Sequence, residues 1–140
     1  MTPAQAALER FYAAEEAYLA AETPDFASIA ATLHPDCLIR QPAALPYGGE
    51  WRGHAGFEAW MRSFRTTWSA LSVHDPRIFL TEDEAVIFSR SHVHATARAT
   101  GRRVDWRLLQ QIEVCDGLIL TLQPFHWDTA AILTALAGSG

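Results

Sequence analysis

The chain has 140 residues and a formal net charge of −5, and this length suits one domain with its own hydrophobic core over residues 1–140. Two cysteines exclude a disulfide framework, an excess of 16 acidic over 11 basic residues argues against a nucleic-acid partner, and no apolar run reaches the ~20 residues that span a bilayer. Only 19% of the residues are charged, below the ~25% usual in soluble domains, which leaves an apolar and aromatic surplus to explain. We therefore expect a cytoplasmic protein that binds neither nucleic acid nor a membrane.

The N-terminal segment contains two helix-start signals. Thr2, followed by a proline and by a glutamine three residues after the cap, predicts a helix over residues 3–22. Glu15 lies in the middle of the apolar stripe of this helix, where it either faces a pocket or an arginine, or extends along the edge of the stripe to solvent. A second Thr-Pro pair at residues 23–24 predicts a short helix that ends before Pro35, so the two helices form a hairpin.

A short strand, a loop and a third helix follow. Residues 37–41 are typical of a strand, and residues 42–49 contain two prolines and two glycines, which predict an irregular loop. From Gly53 to Leu71, aromatic and aliphatic residues recur at helical spacing and predict a strongly amphipathic helix.

From residue 72 onward the apolar period changes from 3.6 to 2, which predicts β-strands. We expect four strands separated by hairpin turn chemistry, over residues 72–80, 85–98, 102–115 and 118–127. A final short helix is predicted from Thr129 to Ala137, with Asp128 as its cap.

The third of these strands has the clearest alternation of apolar and polar residues. Its predicted inner face consists of Val104, Trp106, Leu108, Gln110, Ile112 and Val114. A three-residue turn over residues 115–117 would place Trp106 opposite His126 and would add to this face Leu118, Leu120, Leu122, Pro124 and His126. A two-residue turn at residues 100–101 would turn Ser89, Ser91, Val93 and Ala95 inward and Arg90, His92 and His94 outward, whereas one extra turn residue would reverse this.

Taken together, the motifs resemble the SnoaL-like family within the nuclear-transport-factor-2-like and ketosteroid-isomerase-like superfamily. The resemblance covers essentially the whole chain and rests on His34-Pro35-Asp36-Cys37, Gln41-Pro42, the segment Leu45-Pro46-Tyr47-Gly48-Gly49-Glu50-Trp51-Arg52-Gly53, Thr100-Gly101-Arg102, Asp116-Gly117-Leu118-Ile119 and His126-Trp127-Asp128-Thr129-Ala130-Ala131.

This resemblance implies an α+β fold of the cystatin-like type, a conical barrel in which N-terminal helices pack on a strongly curved antiparallel sheet. It also implies one hydrophobic pocket and a homodimer. Family members include isomerases, cyclases, epoxide hydrolases, dehydratases and proteins without known catalysis, so the fold does not select a reaction. The three positions at which family enzymes commonly place acids align here with Gln41, Gln110 and Pro124, none of which is acidic.

The expected site therefore uses other groups. His126 is the candidate base, because its ordinary pKa near ~6.5 suits proton transfer at neutral pH, and Gln41 and Gln110 would orient a carbonyl or hydroxyl group. A purely structural His126, bonded to main chain, is the alternative. The expected substrate-pocket residues are Tyr18, Trp51, Trp60, Trp106, Leu108 and Leu122.

Metals and cofactors are not expected. His92 and His94 lie on one side of a strand but lack a converging third ligand, and Cys37 and Cys115 are interpreted as buried thiols. An apolar patch on the outer sheet face predicts a homodimer interface, formed by Leu109, Gln111, Thr121, Gln123, Phe125 and Trp127.

Two functions remain open on this basis. The first is a small-molecule pocket protein acting as a cofactor-independent isomerase, cyclase or dehydratase on a hydrophobic, ring-like carbonyl or hydroxyl compound. The second is a non-catalytic module for ligand binding or interaction that lacks the family's catalytic acids.

Overall fold

The computed structural model describes residues 1–137 and has the expected α+β architecture. Its elements in chain order are α1 (Pro3–Ala20), α2 (Ala27–Ala30), β1 (Leu33–Gln41), β2 (Gly49–Arg52), α3 (Gly53–Thr67), β3 (Trp68–Leu80), β4 (Val86–Ala97), β5 (Arg103–Cys115), β6 (Leu118–His126) and α4 (Thr129–Leu136). In the part of the chain that is described, no helix has the length and apolar character needed to cross a membrane.

The six strands form one sheet in the order β2-β1-β6-β5-β4-β3. Strands β1 and β6 are parallel, with Leu33 beside Ile119 and Ile39 beside Leu122, and the other neighbours are antiparallel. The sheet is thus mixed rather than purely antiparallel. Strands β3 to β6 are joined by hairpins, and β6 then lies beside β1 and runs in the same direction. Within residues 1–137, β2 and β3 are unpaired edges, so the cone is not closed into a barrel.

Helices α1 and α3 cover the concave face of this sheet. Leu8 and Phe11 from α1 and Phe57 and Met61 from α3 are almost completely buried. The rings of Phe11 and Phe57 meet edge to face, with centroids 5.8 Å apart. The apolar stripes predicted from helical spacing are therefore the stripes that form the core.

The helix caps follow the sequence signals closely. The Thr2 hydroxyl accepts a hydrogen bond from the Gln5 backbone N–H at 3.1 Å, and the Gln5 side chain accepts one from the Thr2 N–H at 2.8 Å. The Asp128 carboxylate caps α4 by accepting a hydrogen bond from Ala131 N–H at 3.0 Å. The starts predicted at Thr2 and Asp128 are confirmed, whereas α1 ends at Ala20. The start expected at residues 23–24 is wrong, because α2 begins at Ala27 and has only four residues.

Two boundaries differ from the prediction because strand pairing outweighs local periodicity. Helix α3 ends at Thr67, and Trp68 begins β3, where it pairs with Ala97. Trp68 is still buried, since the last helical turn and the first strand residue point to the same core. Strand β1 starts at Leu33 rather than Cys37, and the short β2 was not predicted because its glycine-rich start resembles a turn.

The turn between β5 and β6 also differs from the prediction. It has two residues, Asp116 and Gly117, both with positive φ (55° and 74°), as a type I′ turn requires. A register shift after Val114 then leaves one extra residue in β6 between Ile119 and Thr121. Because the turn has two residues, Ile119 pairs with Val114 and is fully buried, in place of its expected inward-facing neighbours Leu118 and Leu120.

Beyond the bulge, the predicted inner face of β6 is retained. His126 lies opposite Leu108, not opposite Trp106 as expected, and Leu122 lies opposite Ile112. Strands β4 and β5 are joined by the longer turn 98–101. Because this turn exceeds a two-residue turn by an even number of residues, the side chains of β4 still face the sides expected from a two-residue turn. All four residues that were expected to face inward are buried, Ser89, Ser91, Val93 and Ala95, and the three that were expected to face outward are exposed, Arg90, His92 and His94.

The irregular loop 42–49 is tightly packed. Tyr47 is completely buried, and its hydroxyl accepts a hydrogen bond from Trp68 Nε1 at 3.2 Å. A Cβ atom at Gly48 would lie only 2.3 Å from the carbonyl oxygen of Pro42. Glycine is therefore required at position 48 by the close approach of two backbone segments.

We expect Gly48→Ala to lower the free energy of unfolding by at least about 3 kcal/mol, because the loop must move to admit the methyl group. Gly101→Ala is the matched control, since its Cβ meets nothing within 4 Å and only its φ of +73° opposes the change. Its cost should be about 1–2 kcal/mol. Urea denaturation followed by circular dichroism measures both, and equal losses would contradict this account of the loop.

Candidate functional site

The helices and the concave face of the sheet enclose an inner cavity of about 50 Å³. Its walls come from α1, α3 and five of the six strands, and they are mostly apolar, with Trp60, Phe64 and Trp106 as the aromatic residues. Six polar side chains also line it, namely Tyr12, Glu15, Gln41, Ser91, Gln110 and His126. So many polar groups on an otherwise apolar wall are typical of a ligand site.

His126 is held in one tautomer by the indole of Trp106. Trp106 Nε1 lies 2.9 Å from His126 Nδ1, and because an indole N–H can only donate, Nδ1 must be unprotonated. The proton of the neutral ring is therefore on Nε2, which faces Gln41 Oε1 at the long distance of 3.4 Å. This geometry gives His126 a donor directed into the cavity and leaves it no free basic nitrogen.

Burial also keeps this imidazole neutral. Desolvation by burial disfavours the charged ring and lowers the pKa of His126 from 6.5 to about 4. At neutral pH the ring is thus an uncharged N–H donor. The role of base expected for His126 from the sequence does not fit this arrangement.

Tyr12 and Gln110 form a second polar pair in the cavity. The Tyr12 hydroxyl donates to Gln110 Oε1 at 2.9 Å, which leaves the amide NH₂ of Gln110 as a donor. Burial raises the pKa of Tyr12 well above its ordinary range, the Ser89 hydroxyl opposes this, and the nearby charge of Glu15 adds to it. Tyr12 therefore remains a neutral phenol at physiological pH.

Glu15 is the acidic residue of the site and lies one helical turn after Tyr12. Burial raises the pKa of its carboxyl from 4.5 to about 7, and within residues 1–137 no ion pair or hydrogen bond holds the carboxylate. An unpaired carboxylate in such a place is costly unless it faces a cavity. Of the two interpretations of Glu15 from the sequence, the pocket-facing one agrees with the structure.

A larger outer cavity of about 340 Å³ adjoins the inner one between α1 and β3. The two cavities share four lining residues, Tyr12, Glu15, Leu71 and Val73. Glu15 thus borders both cavities. The arrangement combines one base with a raised pKa and several neutral hydrogen-bond donors. These are the groups that proton transfer next to a carbonyl group requires.

Comparison with known proteins identifies the family of the chain. The family model for the SnoaL-like domain matches residues 8–121, which is most of the chain. The chain belongs to the SnoaL-like family. No protein of curated function matches the sequence.

Among solved structures, this SnoaL-like chain is similar to a nuclear-transport-factor-2-like protein from Burkholderia xenovorans LB400, with a TM-score of 0.82, 18% identity and 96% of each chain covered. It is also similar to TerC co-crystallised with polyporic acid (TM-score 0.79, 19% identity, covering 96% of this chain and 98% of TerC). A candidate polyketide cyclase from Pseudomonas putida KT2440 matches at a TM-score of 0.77, with 17% identity over 98% and 99% of the two chains. At these identities the similarity establishes the shared cone fold alone.

The structure brings together only part of the pocket expected from this SnoaL-like sequence. Gln41, Gln110, His126, Trp60, Trp106 and Leu108 all line the inner cavity. Trp51 does not, because it lies beside β1 and its Nε1 donates to Tyr47 O at 3.1 Å. Leu122 is buried in the core opposite Ile112, and Tyr18 packs edge to face on Phe26 beside a separate surface groove.

Apart from Glu15, seven lining residues were not among those predicted for the site, namely Tyr12, Phe64, Leu71, Val73, Ser91, Val93 and Pro124. Three of them lie on apolar stripes that were assigned to the core. A usable signal was present in Tyr12, because it lies three residues before Glu15 and therefore shares its helix face.

The other expectations have mixed outcomes. His92 and His94 are exposed on the outer sheet face, and within residues 1–137 no third ligand joins them. Cys37 is buried, as expected, with a pKa raised by burial to about 11. Cys115 is only partly buried, because it is next to the two-residue turn, and it lies within 4.8 Å of donor atoms of His34 and Asp116. His34 Nδ1 already accepts a hydrogen bond from the Asp36 N–H at 3.0 Å.

Glu15 should make the stability of the protein depend on pH. Its pKa is higher in the folded state than in the unfolded chain, so the folded state loses stability as the pH rises from about 4.5 through about 7. Glu15→Gln removes this loss, and we expect its melting temperature to exceed that of the wild type by about 3–6 °C at pH 8. At pH 5 the two should be nearly equal.

Glu9→Gln is the matched control, because Glu9 is an exposed acid on the same helix. It should follow the wild type at both pH values in differential scanning calorimetry. A wild type that equals Glu15→Gln at pH 8 would contradict the partly buried, unpaired position of Glu15.

Proposed function

We propose that this SnoaL-like protein is a cofactor-independent enzyme that moves a proton on a hydrophobic, ring-like carbonyl or hydroxyl compound, with Glu15 as the base. One observation supports this proposal above all others: the Glu15 carboxylate faces a cavity lined by neutral hydrogen-bond donors and has no protein partner within residues 1–137. A base with a pKa of about 7 is half ionised at neutral pH, which suits reversible proton transfer.

The chemistry follows from these positions. The Glu15 carboxylate takes a proton from the carbon next to the carbonyl group, the electron pair of that C–H bond forms a C=C bond, and the carbonyl π electrons move to the oxygen. The resulting enolate oxygen accepts hydrogen bonds from His126 Nε2–H and the Gln110 amide. In a β,γ-unsaturated ketone the enolate is conjugated with the second double bond, and return of the proton to the γ-carbon shifts that double bond and completes an isomerisation. Loss of a β-hydroxyl group, which leaves as water with the proton from Glu15, completes a dehydration.

In this scheme His126 acts as a donor, and Trp106 is a positioning residue that fixes its tautomer. The long contact between His126 Nε2 and Gln41 leaves the N–H available for a ligand oxygen. Trp60 Nε1 is buried in the cavity wall without a hydrogen-bond partner among the described residues, so it is a further donor at the same place.

The similar structures support the substrate class. A candidate polyketide cyclase and a protein co-crystallised with polyporic acid share the cone fold with this chain. Both descriptions concern ring-forming or ring-containing compounds with oxygen substituents, which is the class that the donors and the apolar wall would accept.

A non-catalytic binding module is the second candidate. The observation in its favour is that Gln41, Gln110 and Pro124 replace the family acids inside the cavity. This module would bind the same class of compound without moving a proton.

Deuterium exchange separates these two functions without knowledge of the natural substrate. Cyclic ketones and β-hydroxyketones are incubated with the protein in D₂O, and loss of the α-proton signal is followed by NMR. We expect exchange by the wild type to rise with pH through about 7, as Glu15 ionises. Glu15→Gln should lower the rate by about 10²–10⁴-fold.

Glu9→Gln is again the control and should leave the exchange rate unchanged. Equal rates for the wild type and Glu15→Gln would refute Glu15 as the base. If ligands bind to the wild type and no exchange above background occurs, the binding module is the correct function.

The homodimer is a further part of the proposal. Leu109, Phe125 and Trp127 have exposed fractions of 39%, 46% and 79%, and Leu109 and Phe125 are cross-strand neighbours on the convex face. An apolar patch of this kind suits an isologous contact with a second copy of the chain. This contact would account for part of the aromatic surplus in the composition.

Light scattering should therefore give twice the chain mass of 15.5 kDa at micromolar concentration. Phe125→Lys should shift the protein to the monomer. Leu80→Lys, at an exposed leucine on the edge strand β3, should leave the dimer intact. A monomeric wild type would refute the interface.

A further inference from the structure

A surface groove of about 600 Å³ lies apart from the cavities of the candidate site. Its walls come from the end of α1, the segment that leads into α2, helix α3 and the residue that follows β4. It shares no lining residue with the inner or the outer cavity. Its volume is within the range of small-molecule sites, so a ligand can bind here independently of the cone.

The charge of this groove is opposite to that of the whole chain. Arg62, Arg65 and Arg98 line it, and Glu58 is its acidic lining residue, although the chain has more acidic than basic residues. Glu58 lies one helical turn before Arg62 and forms an ion pair with it. Within residues 1–137 no carboxylate pairs with Arg65 or Arg98, so two positive charges of the groove are uncompensated.

Main-chain carbonyl groups hold these two arginines in place. Arg65 Nη2 donates a hydrogen bond to the carbonyl oxygen of Ala21. Arg98 Nη2 donates to the carbonyl oxygens of Arg65 and Trp68, at 3.0 and 3.3 Å. A carbonyl oxygen orients a guanidinium group without neutralising its charge, and each group keeps further N–H donors for a ligand. Both arginines are therefore charged, oriented donors in the wall of one groove.

Aromatic side chains form the apolar part of the same groove. Tyr18 is 6% exposed and Phe26 is partly buried, and their rings meet edge to face with centroids 6.4 Å apart. Pro24 is a further apolar lining residue. A flat ring can pack against this surface, whereas a wholly polar anion would leave it uncovered.

We propose that this groove is a second ligand site, which binds a phosphate monoester that carries an aromatic ring. The phosphate group pairs with Arg65 and Arg98, and the ring packs against Phe26 and Tyr18. Two uncompensated guanidinium groups match the two negative charges that a phosphate monoester carries above its second pKa of about 6.

The groove and the outer cavity select ligands of opposite character. Glu15 and Glu16 line the outer cavity, so they would repel an anion that the arginines of the groove attract. Because the groove and the cavities have no lining residue in common, anion binding in the groove does not depend on Glu15 as a base.

Isothermal titration calorimetry with phenyl phosphate tests this site at about pH 8, where the phosphate group carries two charges. We expect phenyl phosphate to bind at least about tenfold more tightly than benzoate, which has one charge, and than inorganic phosphate, which has no ring. Its binding should weaken as the salt concentration rises, because exposed charges are screened. Equal binding of phenyl phosphate and either of the other two anions would overturn the proposed ligand class.

Arg98→Gln removes one uncompensated charge and should weaken phenyl phosphate binding at least about tenfold. Arg10→Gln is the matched control, because Arg10 is also an exposed arginine that donates to a main-chain carbonyl, that of Gly117 at 2.9 Å, and it lies outside the groove. It changes the net charge equally and should leave binding unchanged. If Arg98→Gln does not fold, as judged by circular dichroism, Arg65→Gln replaces it. Equal losses in the groove variant and in Arg10→Gln would show attraction to the whole surface and would overturn the site.

Phe26→Leu tests the aromatic part of the groove. This variant keeps an apolar side chain and removes the ring, so its affinity for phenyl phosphate should fall towards that for inorganic phosphate. Its affinity for inorganic phosphate should not change, because the arginines remain. An unchanged affinity for phenyl phosphate would contradict packing of the ligand ring on Phe26.

Discussion

One extra residue in β6 determines which side chains enter the cavity of this protein. Cys115 lies opposite Leu118 across a two-residue turn, and without the bulge between Ile119 and Thr121 this register would continue along the strand. Leu108 would then lie opposite Phe125, and His126 would be on the convex face. The bulge shifts the register by one residue, so that His126 faces inward while Phe125 faces outward. The candidate site and the proposed dimer surface both depend on this shift.

The chemistry of the cavity depends on which polar groups are paired. Trp106 occupies Nδ1 of His126, and Gln110 takes the proton of Tyr12, so each of these neutral groups is held in one hydrogen-bonding state. Glu15 has no such partner within residues 1–137, and burial alone raises its pKa. Fixed donors around one unpaired carboxylate require little reorganisation when charge develops on a ligand oxygen. This asymmetry is the basis on which we propose proton transfer at the site.

The fold around the site is that of the SnoaL-like family, whereas the acid of the site lies at a different position from the aligned family acids. The positions aligned with family acids are on strands and are occupied by Gln41, Gln110 and Pro124, which all line the inner cavity. The carboxylate comes instead from Glu15 on α1, which borders both cavities.

Local signals in the sequence determined the elements and the inner faces of the strands. The cap at Thr2, the apolar stripe of α1 and the alternation along β5 depend on neighbouring residues only, so they could be predicted, and Gln110 was correctly placed on the inner face. Only the tertiary structure decided the end of α3, the bulge in β6, the tautomer of His126 and the position of Glu15 beside both cavities. These features depend on pairing and burial between segments far apart in the chain, and cavity volumes and desolvation exist only once those segments have packed together.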